Sequence, residues 1–319
     1  MSAVWQQLPS FEVGLIGGPA GRWYRKARPE VEAMPWGTLP LDDVAPATLE
    51  RARRVWTMAA FQEYRTGAAC ARALGQLIEV SAPLDLIALV SRFPLDEMVH
   101  VELAARLLQE LGGAVDLRFD PERLVPPKAA GIDTLLACAE TMVRVFCVGE
   151  AVSIPILRAS WLHAELPLIR EILGRIVKDE AVHGEVGFWF LDWCLEGFDD
   201  DERAYLQRAA HHEISKLVAA WDRFAPGVRS AEQTTIGEDE AAGEDEAAGD
   251  DDAIGAAEAA SRGAYGLTDG GAGRGAGQLG WMPEAVYFET AHRALDEAVL
   301  APLTARGLDP RAIGPIAGH

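Results

Sequence analysis

Asp96-Glu97-Met98-Val99-His100-Val101-Glu102 and Asp179-Glu180-Ala181-Val182-His183-Gly184-Glu185 share one pattern, Asp-Glu-x-Val-His-x-Glu, 83 positions apart. Residues three apart in an α-helix lie one turn apart on one face. Glu97 with His100, and Glu180 with His183, can therefore each bring a carboxylate and an imidazole to one point. Each pair has the donors to grip a metal ion. Two more glutamates fall at matching distances: Glu63 lies 34 residues before Glu97, and Glu150 lies 30 before Glu180, each within a long helical pattern. About 30 residues is one long helix plus its turn. The order Glu, Glu-x-x-His, Glu, Glu-x-x-His thus predicts helices that converge on six ligands.

Over residues 47–198 this order resembles the ferritin-like di-iron and di-manganese carboxylate superfamily. The resemblance implies an all-α fold: a ferritin-like four-helix bundle with a long crossover, here followed by additional C-terminal helices. It implies that Glu63, Glu97, His100, Glu150, Glu180 and His183 are at once metal ligands and catalytic residues, with Glu97 and Glu180 bridging and Glu63 and Glu150 terminal. The cofactor it implies is two Fe ions, with Mn or mixed Mn/Fe as the alternative. Oxygen-rich ligands with one imidazole per metal suit iron or manganese better than copper or structural zinc. Four carboxylates also balance two dications, which makes their burial affordable in a helical core.

In relatives with Asp-Glu-x-x-His, the Asp reaches the histidine of the opposite helix, fixing the ring through its second N–H. That pairs Asp96 with His183 and Asp179 with His100. Val99 and Val182 stand where the bacterial multicomponent hydroxylases carry Arg. Glu102 and Glu185 lie about 140° around the helix from Glu97 and Glu180, so both are expected to be surface charges.

The rest of the chain divides around this core. Residues 1–46, rich in Pro, Gly and Trp, read as an N-terminal arm draped over a bundle of residues 47–225. The first bundle helix starts at Pro46 or Ala47 and runs to about Val80; Ser81-Ala82-Pro83 ends it. A second runs from about Pro83 to Leu111, with a kink expected at Pro94. Residues 114–130 form the crossover. Asp133 caps a third helix, in which Pro155 is expected to give a bend. A fourth spans about Leu166 to Leu195, and a fifth carries the stripe Ala210, Ile214, Leu217, Trp221 and Phe224. Pro283 opens a last helix in a segment 281–307 that returns to the bundle, with Phe288, His292, Leu295, Val299 and Leu303 on one stripe.

Half of the net charge of −20 comes from ten acidic residues between Glu232 and Asp252. With the repeated Gly-Glu-Asp-Glu-Ala-Ala unit and the glycines after residue 263, residues 226–280 read as a disordered acidic and Gly-rich insert. No basic groove or stripe argues for nucleic acid. No apolar run is long enough for a membrane span, and the N-terminus lacks the features of a secretory signal, so a cytoplasmic protein is expected. Cys70, Cys138, Cys147 and Cys194 lack Cys-x-x-Cys spacing and read as buried thiols.

The leading functional expectation is a di-iron oxygenase or oxidase: a non-haem dinuclear oxidoreductase (monooxygenase chemistry included) that activates O2 to oxidise a small organic substrate. Its partners are O2, that substrate and an electron donor, and a homodimer is an open expectation. Thr66, Gly67, Ser153 and Ile154, within about one turn of Glu63 or Glu150, are the expected pocket, with Cys147, one turn to the other side of Glu150, either in its lining or in plain core. The alternatives are a ferroxidase, a peroxidase or a manganese-catalase-like protein that handles metal or peroxide, and a metal-free helical scaffold. The lack of Cys-x-x-Cys weakens a rubrerythrin-like peroxidase, and two Glu-x-x-His motifs weaken a storage ferritin. A solvated insert contributes no buried contacts. Deletion of residues 230–262 should therefore leave the melting temperature and metal content unchanged, and a fall in either would show that the segment is structural.

Overall fold

The computed structural model describes residues 8–125, 131–224 and 279–316. These residues are predominantly helical: no β-strand occurs among them, and the Ser10–Arg118 pairing is an isolated antiparallel bridge. None of the described helices is long and apolar enough to cross a membrane.

The arm is not irregular throughout. It contains α1 (Gly18–Ala27), with Pro19 in its first turn, followed by a 3-10 turn at Pro29–Ala33. Only Gly21 of α1 is buried, which is why no apolar period marks this helix in the sequence.

Helix α2 (Pro46–Glu79) opens with Pro46 at its first turn and closes before Ser81, which adopts a left-handed φ of 53°. The long second helix expected next is two helices, α3 (Leu84–Val90) and α4 (Phe93–Glu110). Pro94 lies in the first turn of α4 rather than at a kink. It has no N–H to offer the Val90 carbonyl and its ring crowds that turn, so the break falls at Ser91–Arg92.

The crossover climbs back along α2. Arg53 Nε donates to the Gly113 carbonyl at 2.7 Å, and the Val115 N–H donates to Thr57 Oγ1 at 3.1 Å. The Phe61 and Phe119 rings lie 5.4 Å apart, and Gln76 Nε2 donates to the Ala137 carbonyl at 3.4 Å. The chain thus enters its third long element beside the C-terminal end of α2.

That element begins with α5 (Thr134–Thr141), capped by the Asp133 carboxylate on the Leu135 and Leu136 N–H groups. It then widens into a π-helical segment, Met142–Glu150, before resuming as α6 (Ala151–His163) with Pro155 inside. Helix α7 (Pro167–Cys194) packs along both. Asp199 and Glu202 exchange side-chain and backbone hydrogen bonds in a capping box at the start of α8 (Asp200–Phe224). The α8 stripe at Ala210, Ile214, Leu217 and Trp221 is buried; the Phe224 side chain lies outside the described residues.

Residues 225–278 also lie outside them, and with them most of the acidic insert. The C-terminal boundary of that insert needs correction, because Leu279 and Gly280 are packed. Trp56 Nε1 donates to the Leu279 carbonyl at 2.9 Å, and Trp281 is buried beside it. Pro283 then precedes α9 (Glu284–Ala294), a second π-helical segment at Leu295–Leu300, and α10 (Ala301–Ala305). On the expected stripe Phe288, Leu295, Val299 and Leu303 are buried, and His292 is half-buried.

The core has two apolar halves. One gathers Trp56 and Phe61 of α2, Leu103 and Leu107 of α4, and Ile169 to Ile176 of α7. The other gathers Cys70 and Leu77 of α2, Phe146 of the π segment, and Val186 to Leu191 of α7. In α2 and α7 the candidate ligands fall between the two sets.

Close approach of α7 to the π segment depends on Gly187. A Cβ there would lie 2.9 Å from the Cys147 backbone nitrogen and 2.9 Å from Phe146 Cβ. Alanine in a helix gains about 1 kcal/mol over glycine, whereas overpacking costs about 1–3 kcal/mol. A clash with backbone cannot be relieved by a rotamer. Gly187→Ala should therefore destabilise the protein by about 1 kcal/mol, read by chemical denaturation.

Candidate metal centre

Four elements each deliver their share of the site: Glu63 from α2, Glu97 and His100 from α4, Glu150 from the end of the π segment, and Glu180 and His183 from α7. All six side chains are buried, His100, His183 and Glu97 at 0% exposure. Their donor atoms form two overlapping groups, each closing within 4.8 Å. One is Glu63, Glu97, His100 and Glu180; the other is Glu97, Glu150, Glu180 and His183. Glu97 and Glu180 belong to both.

Both imidazoles turn Nδ1 inward. His100 Nδ1 is 3.1 Å from Glu180, 3.3 Å from Glu63 and 3.7 Å from Glu97. His183 Nδ1 is 2.9 Å from Glu180 and 3.1 Å from Glu97. Each Nε2 turns outward to the aspartate of the opposite heptad. His100 Nε2 lies 3.1 Å from Asp179 and His183 Nε2 lies 3.9 Å from Asp96. Phe93, one turn before Glu97, stacks on the His183 ring with centroids 3.8 Å apart.

Each aspartate is in turn held by an arginine four residues earlier. Arg92 Nε lies 3.0 Å from Asp96, Arg175 contacts Asp179, and Arg92 also reaches within 3.6 Å of Asp179. Arg175 Nε further binds Glu30 of the arm at 2.7 Å. These arginines are absent from the sequence reading, although the signal for them was there. Arg92 and Arg175 are themselves 83 residues apart, so the repeat is Arg-x-x-x-Asp-Glu-x-Val-His-x-Glu.

The expected surface charge at Glu102 is a second correction. Glu102 is 9% exposed, with Arg28 Nε at 2.6 Å and Arg106 Nε at 3.1 Å. Pointing away from the ligand face is not pointing into water, because the arm lays Arg28 over this side of α4. Glu185 is exposed, as expected.

A cavity of about 330 Å³ abuts Glu63, Glu150 and Glu180, with Thr66 and Ser153 in its wall. The other expected pocket residues pack elsewhere. Gly67 faces Met98 and Glu97, Ile154 lies against Gly184, and Cys147 lies against Gly187. Of the two places open to Cys147, the structure gives the core. The π segment has more residues per turn and rotates that side chain onto α7.

Several of these buried polar atoms lack a hydrogen-bond partner: both carboxylate oxygens of Glu97, Glu180 Oε2, and both ring nitrogens of His183. Orphaned buried polar atoms of this kind are costly, and a bound cation satisfies several lone pairs at once. The residues present therefore fit a metal ion.

Burial pushes the Glu63 carboxyl up to about 8, against the pull of His100 and with the repulsion of Glu97 and Glu180. Burial likewise pushes Glu150 well above the carboxylate range, helped by Glu180 and Glu97. Burial also raises Glu180, but His100 and His183 outweigh it and hold Glu180 well below that range. For His183, burial disfavours charge, yet Asp96, Glu180 and Glu97 prevail and push it up to about 12. His100 is raised in the same way by Glu180, Glu63 and Glu97.

Comparison of the chain with protein-family models, with curated proteins and with solved structures finds no match in any of the three. The class of the site rests on its own geometry: a buried carboxylate and histidine cluster able to hold metal.

A pH prediction follows for the metal-free protein. In the fold His183 keeps a proton up to about 12 and Glu63 up to about 8, against ordinary values of 6.5 and 4.5. Between pH 6.5 and 8 the folded state binds both protons and the unfolded chain releases them, so stability falls as pH rises. The depressed Glu180 has the opposite sign, but its contribution is already complete above its ordinary range and is constant in this window. Ligation requires deprotonated donors, so stability conferred by metal grows with pH. Denaturation midpoints from pH 6.5 to 8 should fall without metal and hold or rise with it.

Proposed function

We propose that this protein is a ferritin-like, dinuclear non-haem metalloenzyme, with two iron ions, that uses O2 to oxidise or oxygenate a small organic molecule. The observation that carries the reading is the sharing of Glu97 and Glu180 between two complete ligand groups. In a four-helix arrangement α2, α4, the α5–α6 element and α7 would supply Glu, Glu-x-x-His, Glu and Glu-x-x-His. The climb of the crossover along α2 supports it, since it would set α2 and α4 antiparallel and start the third helix beside the end of the first.

Glu63 and His100 would hold one ion, Glu150 and His183 the other, and Glu97 and Glu180 both. When bound, such a centre supplies the redox electrons and the affinity for O2 that no amino-acid side chain has. The chain's own part is positioning. Asp179 accepts from the outward His100 N–H at 3.1 Å and fixes that ring with Nδ1 inward, whereas Asp96, 3.9 Å from His183 Nε2, faces the other ring without a direct hydrogen bond. Arg175 and Arg92 hold those aspartates in place. Ser153 Oγ donates to the Glu150 carbonyl at 2.9 Å, which ties the cavity wall to the turn that presents this ligand. Val152, Ile156 and Leu157 give the cavity apolar wall beside the ligands.

A cavity of this size beside the ligands favours an organic substrate over simple iron oxidation, which needs no such room. A donor set that is mostly carboxylate with one imidazole per ion favours iron or manganese over copper or structural zinc, and iron is the ion proposed here for O2 chemistry.

Glu180→Ala leaves three carboxylates for two dications and removes a shared ligand. Metal content of the anaerobically loaded protein should fall from two ions to one or fewer, with loss of O2 consumption on reduction. Glu185→Ala, on the exposed face of α7, should keep both. Equal metal content in the two variants would sink the shared-ligand centre. Full metal content in the unaltered protein without any O2 consumption would replace the oxygenase reading with redox-inactive metal binding.

A further inference from the structure

Two residues that wall the cavity carry a polar atom with no partner. Gln76 of α2 and Trp221 of α8 are 7% and 3% exposed, and neither Gln76 Oε1 nor Trp221 Nε1 makes a hydrogen bond. One is an acceptor and the other a donor. Other polar groups of the same wall are engaged. Thr141 and Ser153 donate to the carbonyls of Ala137 and Glu150, Arg65 donates to Gln62, and Arg144 and Lys216 pair with Glu140 and Glu213. A buried polar atom left unsatisfied is costly, and a guest that supplies the matching group relieves it.

The two atoms belong to different ends of the cavity. Gln76 Nε2 donates to the Ala137 carbonyl in the first turns of α5, and Gln76 lies 13 residues beyond Glu63, about 20 Å of helical rise. Helix α8 follows the third long element in the same direction, with Tyr205 on Glu140, then Arg144 on the Ala209 carbonyl and on Glu213. Trp221 is eight residues past Glu213, about 12 Å further toward α6. Its ring meets His292 of α9, and α9 packs on α6. Glu63 and Glu150 fall between the two ends. A sphere of 330 Å³ is about 9 Å across, so a cavity lined over this length is long and narrow.

We propose that the cavity takes an elongated, uncharged molecule with a polar group at each end, one donating to Gln76 Oε1 and the other accepting from Trp221 Nε1, and with an apolar middle that passes Glu63 and Glu150. The proposal rests on the dinuclear reading for what happens to that middle, not for the binding itself. Ala69, Val145, Val152 and Ile156 supply apolar wall for it. The absence of charge follows from Arg144, Lys216, Glu140 and Glu213 answering one another. A medium-length chain that ends in hydroxyl or amide groups meets this description, and a fused-ring or ionic molecule does not. An extended chain advances about 1.2 Å per bond, so 12 carbons with two terminal oxygens cover about 16 Å, and the reach of the two side chains makes up the remainder.

The test uses the full chain loaded with Fe(II) under anaerobic conditions, with calorimetric titration of straight-chain α,ω-alkanediols of 8 to 14 carbons, their dimethyl ethers and the matching dioic acids. Affinity should peak between 10 and 14 carbons. The ether keeps both acceptors and loses both donors, so the best diol should bind about fivefold more tightly than its ether. Gln76→Met, close in shape, should bring diol and ether within twofold of each other, with metal content and melting temperature unchanged. Trp221→Phe should weaken both about fivefold; if that variant fails to fold, the comparison in Gln76→Met decides alone. The proposal is overturned by probes that do not bind, by diols and ethers that bind alike in the unaltered protein, by dioic acids that bind more tightly than diols, or by a diol preference that survives Gln76→Met, as direct attachment to the metal would give. Two bound ions with no diol preference would refute the subsite and leave the centre standing. A diol preference that depends on Gln76 in a chain that takes up no metal would refute the centre and leave the subsite.

Discussion

Everything in this fold answers to the burial of four carboxylates and two imidazoles in one layer between two apolar half-cores. Charges placed so deep are tolerated only where opposite charge or protons accompany them. Glu63, Glu150 and the two histidines hold protons well outside their ordinary ranges, while Glu180 is kept ionised by the histidines. The unsatisfied oxygens of Glu97 show that protons alone do not complete the arrangement. The apolar residues above and below supply the rigidity that keeps these groups converging when, without a counter-ion, they would be driven apart.

Around that layer the chain builds outward in steps. Imidazole is oriented by aspartate, aspartate by arginine, and one arginine by Glu30 of the arm. Arg28 and Glu102 join the arm to α4 by a buried ion pair, with Tyr24 stacked on Arg28 and its hydroxyl donating to the Met98 carbonyl. The N-terminal residues, which carry no ligand, thereby take part in fixing the helix that carries two.

The ligand positions were legible because helical spacing is a strong local rule and the chain applies it twice. The outward aspartates were legible only through the resemblance. What escaped had physical causes. The π-helical winding before Glu150 leaves no mark in apolar periodicity, so the sequence leaves Cys147 open between pocket wall and core, and the structure places it in the core. Glu102 was judged from its own helix alone, whereas its burial depends on a partner more than seventy residues earlier. Leu279 and Gly280 read as the end of a glycine-rich tract, yet the carbonyl of Leu279 receives the Trp56 indole. Arg92 and Arg175 were within reach, one turn upstream of a repeat that was read too short.

The same repeat has been put to unequal use. His100 stands close to Asp179, which two arginines contact and which the arm braces through Glu30. His183 stands farther from Asp96, whose arginine is 63% exposed, and leans instead on the Phe93 ring. A pair of ions at this centre would therefore meet inequivalent hosts. The His100 side offers a preset cradle, and the His183 side must tighten as it fills. In the proposed dinuclear centre, stepwise occupancy would be the natural outcome of a duplicated motif whose copies are buttressed to different degrees.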